Sequence, residues 1–161
     1  MDIRLAQPQD VPGILALLRQ SGEVHHRGRP DLFRANAQKY SASQVLAILD
    51  SVTNPIYVAV KDTDVIACGF CSIRTHFHDP VIADHTTLYI DDICVDEKHR
   101  RHHVGTALYQ KMLGYARLHQ CYNVTLNIWS CNPVAEKFCR SLGFKPQSIG
   151  MEALLADAGE K

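Results

Sequence analysis

The amino-acid sequence predicts a single α+β domain spanning residues 1–161. Three observations lead to this prediction. The chain has 161 residues, within the usual size of one domain, and its sequence contains no linker or internal repeat. Apolar residues make up 46% of the chain, which is enough to form a packed core. Strand-like and helix-like periodicities follow one another in the order β-α-α-β-β-β-α-β-α-β.

The N-terminal part of the chain predicts a strand, a helix and a loop. Residues 2–6 alternate between polar and apolar side chains, as a strand does. The segment from Pro8 to about Gln20 has helical spacing, and proline is tolerated in a first turn. Its apolar stripe consists of Ile14, Leu15, Leu17 and Leu18. Residues 21–40 are polar and rich in helix breakers, which predicts a loop.

A second helix and a β-hairpin come next. Ser41 and Gln44 have the spacing of a capping box, which places a helix directly after Ser41. Residues 55–77 contain two apolar runs around a polar turn at 61–64, a pattern typical of a β-hairpin. Residues 78–85 predict a loop.

The strand after that loop carries a slip in its alternation. Leu88 and Ile90 share one face, and the next apolar residue, Ile93, follows after three positions instead of two. One extra residue near Asp91 and Asp92 restores the phase, which predicts a β-bulge there. The alternative is that the two aspartates only mark the end of a strand.

Four further elements complete the predicted order. They are a helix at about 105–119, a strand at 123–129, a short helix at about 133–142 and a last strand at 147–155. The short helix has Asn132 as its N-cap, Pro133 at its first position and Gly143 as its stop.

Composition argues against several classes of protein. The formal net charge is zero, whereas proteins that grip nucleic-acid phosphates usually carry a basic excess, so nucleic acid is not the expected partner. No run reaches the length of a membrane span, and the N-terminus lacks an apolar signal core, so we expect no membrane association and a cytoplasmic location.

Cys68 and Cys71 form a lone CxxC on a predicted strand, where they point to opposite faces. We expect core thiols and no metal site, with a zinc or redox pair as the alternative.

A basic turn precedes the third helix. Residues 99–103 hold two arginines and three histidines, and Gly105 stands at the start of the helix. The first N–H groups of a helix and the positive end of its dipole bind anions, and glycine lets a ligand approach the backbone. Arg100, Arg101 and His102 add charge at the same point, which favours a diphosphate site. The alternative is a solvated basic turn; the pattern is neither a Walker A loop nor GxGxxG.

Two motifs in this order resemble the GCN5-related N-acetyltransferases, the GNAT superfamily. Residues 100–105 follow the family's R/Q-x-x-G-x-G/A motif, with His103 where the first glycine is usual. Residues 132–144 follow its N-x-x-A-x-x-[FL]-[YC]-x-x-x-G-F pattern. The resemblance implies a GNAT-like fold, with a central mixed, mostly antiparallel sheet whose bulged fourth strand splays from the fifth.

The resemblance also implies acetyl-CoA as co-substrate. Its pantetheine arm is expected between the splayed strands, and its diphosphate over the turn before the third helix. The implied cofactor-binding residues are Ile93, Cys94, Val95, Arg100, Arg101, His102, His103, Val104, Gly105, Thr106 and Asn132.

The implied chemistry is direct acetyl transfer to an amine, without an acyl-enzyme. Asp91 aligns with a glutamate that helps to deprotonate the amine in polyamine-type relatives, and it would act through a water; the alternatives are attraction of a cationic substrate or a structural role. Asp92 would face the other way. The N–H of Ile93 is the expected oxyanion donor. Cys139 replaces the tyrosine that often protonates the leaving thiolate, and is either that acid or an inert core residue.

The sequence therefore predicts an N-acetyltransferase for a small cationic amine or a peptide amine, with a homodimer as a common family arrangement. Residues 23–34 and 74–85 lie where family members build the acceptor cleft, and histidines in such loops are expected to face solvent. The alternative is an acyl-CoA-binding sensor or partner module that kept the fold and lost the chemistry.

Overall fold

A computed structural model of the chain describes residues 1–155, and its centre is a five-stranded sheet. The strands are β1 (Asp2–Leu5), β2 (Ile56–Lys61), β3 (Asp64–His76), β4 (His85–Val95) and β5 (Asn123–Leu126). They lie in the order β1-β2-β3-β4-β5, with all neighbours antiparallel except the parallel pair β4–β5. The predicted α+β class, with its mixed and mostly antiparallel sheet, is confirmed.

Four α-helices flank the sheet in the described residues: α1 (Val11–Gly28), α2 (Ala42–Leu49), α3 (Val104–Leu118) and α4 (Pro133–Ser141). Helix α1 packs its apolar stripe on Val58, Cys68 and Phe70 on one face of the sheet. Helix α3 packs on the other face, where Leu108 and Met112 are fully buried. Because α3 connects β4 to β5, these two strands can run parallel.

Helix α1 begins later and ends later than its sequence pattern predicts. Residues Pro8–Asp10 form a 3-10 turn, and the α-helix then continues to Gly28, into the first part of the predicted loop. Asp10 is buried and is bound by both terminal nitrogens of Arg4, at 2.6 and 3.0 Å. Burial, the largest single effect, opposes ionisation of Asp10, but the hydrogen bonds from Arg4 and from the Gln7 N–H, together with the charge of Arg4, outweigh it, so the pKa of Asp10 is lowered.

The predicted helix caps are present. The Ser41 side chain accepts from the Gln44 N–H at 3.2 Å, and the Gln44 side chain accepts from the Ser41 N–H at 2.8 Å. Helix α4 starts at Pro133 behind its N-cap Asn132 and stops at Gly143, which adopts φ +93°. The N–H groups of Gly143 and Phe144 donate back to Arg140 and Cys139, which is a Schellman ending.

The last predicted strand is wrong. Residues 147–155 form no strand, and Ile149 and Met151 are 77% and 88% exposed. Their alternation is a local signal, but a strand also needs a sheet edge on which to pair, and this segment pairs with none in the described residues. Separately, none of the helices within residues 1–155 is long and apolar enough to cross a membrane.

Candidate active site

The slip in the β4 alternation is a β-bulge, as predicted. Phe70 of β3 lies opposite Asp92, and the next residue, Cys71, lies opposite Ile90. Asp91 is therefore the extra residue, without a partner of its own on β3. The bulge interrupts the ladder in the middle of β4 and re-aims the two aspartates.

The pairing between β4 and β5 ends next to this bulge. The parallel pairing runs from Thr87 opposite Asn123 to Ile90 opposite Leu126, and β5 ends there. The second half of β4, residues 91–95, continues alongside β3 without a β5 partner. Ile93, Cys94 and Val95 therefore pair with β3 on one side and have no strand partner on the other in the described residues.

Both aspartates of the bulge bind one lysine. Lys39 Nζ lies 2.8 Å from Asp91 Oδ2 and 2.5 Å from Asp92 Oδ2. The hydroxyl of Tyr40 donates to Asp91 at 3.1 Å, and the Tyr40 ring stacks on Phe70 at 5.5 Å between centroids. The expectation that Asp92 faces away from Asp91 is wrong, because the bulge turns both carboxylates towards the same ammonium.

Burial and charge oppose each other in this cluster. Burial alone would lower the pKa of Lys39, but the hydrogen bonds to Asp91 and Asp92 raise it above the ordinary value. Burial raises the pKa of Asp92, and Lys39 only partly offsets this. The Asp92 side chain is 14% exposed, against 37% for Asp91, so Asp91 is the carboxylate that an incoming molecule can reach.

Two cavities lie on either side of this cluster. The first, of ≈ 230 Å³, is bounded by residues of α2, β3 and the bulge: Tyr40, Ile48, Asn54, Phe70, Cys71, Ser72, Arg74 and Asp91. The second, of ≈ 210 Å³, is bounded by α1 and the following loop: Leu18, Ser21, Gly22, His25, Phe33, Ala37, Gln38, Lys39 and Asp92. Asp91 lines the first cavity, and its ion-pair partner Lys39 lines the second together with Asp92.

Sequence analysis missed Lys39 and His25. His25 lies on α1, stacks on Phe33 at 5.1 Å between ring centroids and lines the second cavity, so it does not simply face solvent. Burial lowers the pKa of His25, more than the charge of Asp92 raises it, so the imidazole is neutral at pH 7. Because α1 was predicted to end near Gln20, no sequence signal placed His25 on its inner face.

Two loops meet above the second cavity. Phe33, in the loop after α1, packs edge-on against Trp129, in the segment after β5, with ring centroids 4.9 Å apart. The Nδ1 of His26 contacts the Phe33 carbonyl at 2.7 Å. The contact between the rings therefore joins the loop after α1, which lines the second cavity, to the segment after β5.

The turn before α3 uses two left-handed residues. Arg101 and His103 have φ values of +63° and +59°, a region that non-glycine residues rarely adopt. His103 is the N-cap of α3 and makes no side-chain cap, whereas Ser41 caps α2 and Asn132 caps α4. In the described part of the chain, no side chain covers the first N–H groups of α3, which leaves them to water or an anion.

The side chains of this turn are held in different ways. Arg100 donates from Nε to the Val95 carbonyl at 3.1 Å. Asp96 fixes the start of the turn by accepting from the Lys98 N–H at 3.0 Å and from Gln20 Nε2 at 2.9 Å. Arg101, His102 and His103 are exposed.

Gly105 lies where a side chain would crowd two neighbouring elements. A Cβ built on it would lie 3.0 Å from Phe138 Cζ and 3.3 Å from Val95 Cγ2. The space beside this buried glycine is therefore filled by α4 and β4, and its role is to let α3 approach them. Its N–H still belongs to the uncovered first turn of α3.

The remaining residues predicted to bind the cofactor or to act in catalysis differ in how far they are buried. Ile93 and Val95 are half-buried and Cys94 is buried, while Val104 is buried and Thr106 half-buried at the start of α3. Asn132 Oδ1 accepts from the Ala135 N–H at 3.1 Å. Cys139 is 3% exposed on α4, and burial raises the pKa of its thiol.

The CxxC cysteines are buried thiols on opposite faces, as predicted. Cys68 belongs to the core under α1, and Cys71 to the core under α3. Cys68 lies opposite Cys94 on β4, and their contact, together with burial, raises the pKa of Cys68. Within residues 1–155, no group of three histidine, cysteine, aspartate or glutamate side chains is placed to hold a metal ion.

The structure thus places a bulged strand, whose pairing with its parallel neighbour stops at the bulge, next to a helix whose N-terminus has no side-chain cap. The sequence profile of the Acetyltransferase (GNAT) family matches residues 21–144. The chain therefore belongs to the GNAT acetyltransferase family. No curated protein matches the sequence.

Solved structures share the fold at different distances. A tetramutant of the BH1408 protein from Bacillus halodurans is 29% identical, with a TM-score of 0.92 over 96% of this chain and 100% of that one. The aminoglycoside acetyltransferase meta-AAC0020 from an uncultured soil metagenomic sample, in complex with sisomicin, is 16% identical, with a TM-score of 0.71 over 96% and 95%. The aminoglycoside N-acetyltransferase AAC(6')-Iy, in complex with CoA, is 16% identical, with a TM-score of 0.72 over 95% and 98%.

Proposed function

We propose that the protein is an acetyl-CoA-dependent N-acetyltransferase that transfers the acetyl group directly to a primary amine, either a small cationic amine or a peptide amine. The observation that carries the proposal is the coincidence of the bulge at Asp91 with the end of β5 pairing at Leu126. Membership of the GNAT family and the aminoglycoside acetyltransferases of the same fold support it.

The residues of the cleft fit coenzyme A. The first N–H groups of α3, from Val104 to Thr106, form an anion site with the exposed Arg101 and His102 beside it. These residues, with Arg100, His103 and Gly105, are proposed to hold the diphosphate. The open edge of Ile93, Cys94 and Val95 is proposed to hydrogen-bond the pantetheine arm as an added strand does, with Asn132 on its far side. Bound acetyl-CoA would supply the activated thioester.

Three groups of the chain are proposed to act on the reacting atoms. Asp91 accepts a proton from the acceptor ammonium through a water, because its carboxylate is the more exposed of the pair. The N–H of Ile93 donates to the developing oxyanion. Cys139 returns a proton to the leaving thiolate. Its raised pKa keeps the thiol protonated at neutral pH, the form an acid needs, although its burial equally fits a structural thiol.

A second candidate is an acyl-CoA sensor or partner module without catalysis. The observation that favours it is Lys39, because its ammonium already occupies both carboxylates of the bulge. A thiol-release assay with acetyl-CoA and a panel of primary amines separates the two functions. Release of CoA with at least one amine supports the enzyme, and tight CoA binding without release across the panel supports the sensor.

The proposal extends to a homodimer and a cytoplasmic location. Both are supported by what is common among GNAT proteins rather than by a contact within the chain. Sedimentation at several concentrations tests the first, and cell fractionation of the tagged protein tests the second.

A further inference from the structure

We propose that the acceptor is a zwitterion, in which a primary ammonium binds at Asp91 and a carboxylate at the other end of the molecule binds Arg74. This inference rests on the proposed acetyltransferase function and names its acceptor class. It depends on charges that lie at opposite ends of one cavity.

The first cavity is bipolar. Asp91 is the carboxylate on its wall, and Arg74 is the guanidinium. The same cavity is also lined by the polar side chains of Ser72 and Asn54 and by the apolar ring of Phe70. Binding sites commonly combine such apolar walls with a few polar groups that fix the orientation of the ligand.

Arg74 is held in place without an acidic partner. Its guanidinium carbon lies 3.4 Å from the centre of the Tyr89 ring, a stacked cation–π contact. Tyr89 lies opposite Ser72 on the neighbouring strand, so Arg74 meets it as a diagonal cross-strand neighbour. Within residues 1–155, Arg74 forms no salt bridge, whereas Arg4 and Arg29 do. Stacking fixes the plane of the forked guanidinium of Arg74 and leaves its N–H groups available to a carboxylate. A guanidinium binds a carboxylate through two parallel hydrogen bonds.

The charge at the other end is a single negative one. Asp91 and Asp92 contribute two negative charges, and Lys39 contributes one positive charge, which leaves one net negative charge at the bulge. A ligand with one ammonium and one carboxylate neutralises both ends of the cavity. A diamine or polycation places a second positive charge near Arg74, where it meets repulsion.

The spacing of the two ends favours an amine and a carboxylate separated by several bonds. Cys71 lies opposite Ile90 beside the bulge, and Arg74 lies opposite Thr87, three residues further along β3. Three strand residues span about 10 Å, and the side chains at both ends reach inwards from there. This fits an ω-amino acid or a dipeptide better than a single α-amino acid.

The test compares matched acceptors. Glycylglycine is paired with glycylglycinamide, and 4-aminobutanoate with 4-aminobutanamide and 1,4-diaminobutane. Thiol release gives kcat/KM for each, and calorimetry on the CoA-loaded protein gives binding. We expect kcat/KM, or the binding constant, to be at least about tenfold higher for the carboxylate member of a pair.

Substitutions at Arg74 assign the preference to this residue. Arg74→Gln is expected to erase the difference between acid and amide, and Arg74→Lys, which keeps the charge without the fork, to retain part of it. Arg117→Gln, on the exposed surface of α3, is the matched control and should keep the full preference. Circular dichroism of each variant verifies that it is folded.

The outcomes separate this inference from the function on which it rests. Thiol release that is equal for acids and amides, or a preference that survives Arg74→Gln, overturns the zwitterion and leaves the acetyltransferase standing. Arg74-dependent binding of the acids without thiol release supports the site and overturns catalysis. Absence of both binding and release with every carboxylate-bearing member also overturns the zwitterion.

Discussion

The ammonium of Lys39 lies 2.8 Å from the carboxylate of Asp91, so an amine of the protein itself occupies the group that is proposed to receive the substrate amine. The same ammonium binds Asp92. Lys39 belongs to the loop between α1 and α2 and is 42% exposed, so it can move aside or share Asp91 with an acceptor.

Removing this internal amine should change both stability and acceptor binding. We expect Lys39→Met to lower the KM for amines about tenfold, because the bulge gains net negative charge. The same change should lower the free energy of unfolding by about 1–2 kcal/mol, less than the loss of a fully buried pair, since Lys39 is partly exposed. Steady-state kinetics and urea unfolding measure the two effects. Lys39→Arg, which keeps the charge, is the matched control, and an unchanged KM in Lys39→Met would show that the lysine does not compete with the acceptor.

The two aspartates of the bulge should differ in kinetic role. We expect Asp91→Asn to lower kcat about a hundredfold, the lower range for loss of a general base, because Asp91 is the reachable carboxylate. Asp92→Asn is the matched control, with the same chemical change one residue away, and a smaller effect is expected. A pH profile of kcat separates the roles, since loss of a base removes the rise of the rate with pH. A larger loss in Asp92→Asn would assign the base to the more buried aspartate.

Asp92 should cost stability at neutral pH. Its folded-state pKa is raised above the ordinary value, so its contribution to stability is full below pH 3.8 and is lost as the pH rises through the folded-state value. We therefore expect Asp92→Asn to unfold at the same or a slightly higher temperature than wild type at pH 7, because Asn still accepts from Lys39 without a buried charge. The difference should shrink as the pH approaches 3.8. A variant that melts well below wild type at pH 7 would contradict this.

Cys139 has two roles that kinetics can separate. If its thiol returns a proton to the departing thiolate, Cys139→Ala lowers kcat by about tenfold or more while KM for the acceptor stays near that of wild type. If the thiol only fills the core, the variant loses stability and keeps its kcat. Cys121→Ala, at another thiol whose pKa is raised by burial and which lines neither cavity, measures the cost of removing a cysteine outside the site. A kcat loss in Cys139→Ala that Cys121→Ala does not share would support the acid.

Local patterns in the sequence predicted much of the fold. The three-residue step from Ile90 to Ile93 revealed the bulge, because side-chain phase along a strand is a local property. The capping box at Ser41 and Gln44 and the glycine stop of α4 were equally local. Residues 147–155 show the limit of such signals, since their alternation predicted a strand but they pair with neither edge of the described sheet.

The site was less predictable than the fold because it depends on distant parts of the chain. Lys39 stands 52 residues before Asp91, in a segment that looked like an unremarkable polar loop. The close approach of Gly105 to Phe138 could not be predicted from the sequence either, since Phe138 lies on a different helix. Arg74 and Tyr89 meet only because β3 and β4 pair in one particular register.

The most direct test is calorimetric titration with CoA and with pantetheine, which lacks the diphosphate together with the adenosine 3′-phosphate. The account predicts one CoA per chain and binding of pantetheine about a hundredfold weaker, because the uncovered N–H groups of α3 would hold the diphosphate. Thr106→Pro deletes one of these N–H groups at a position where proline is tolerated, and it should weaken CoA binding more than Thr106→Ala. Equal affinity for CoA and pantetheine, or no binding of CoA at all, would contradict the account.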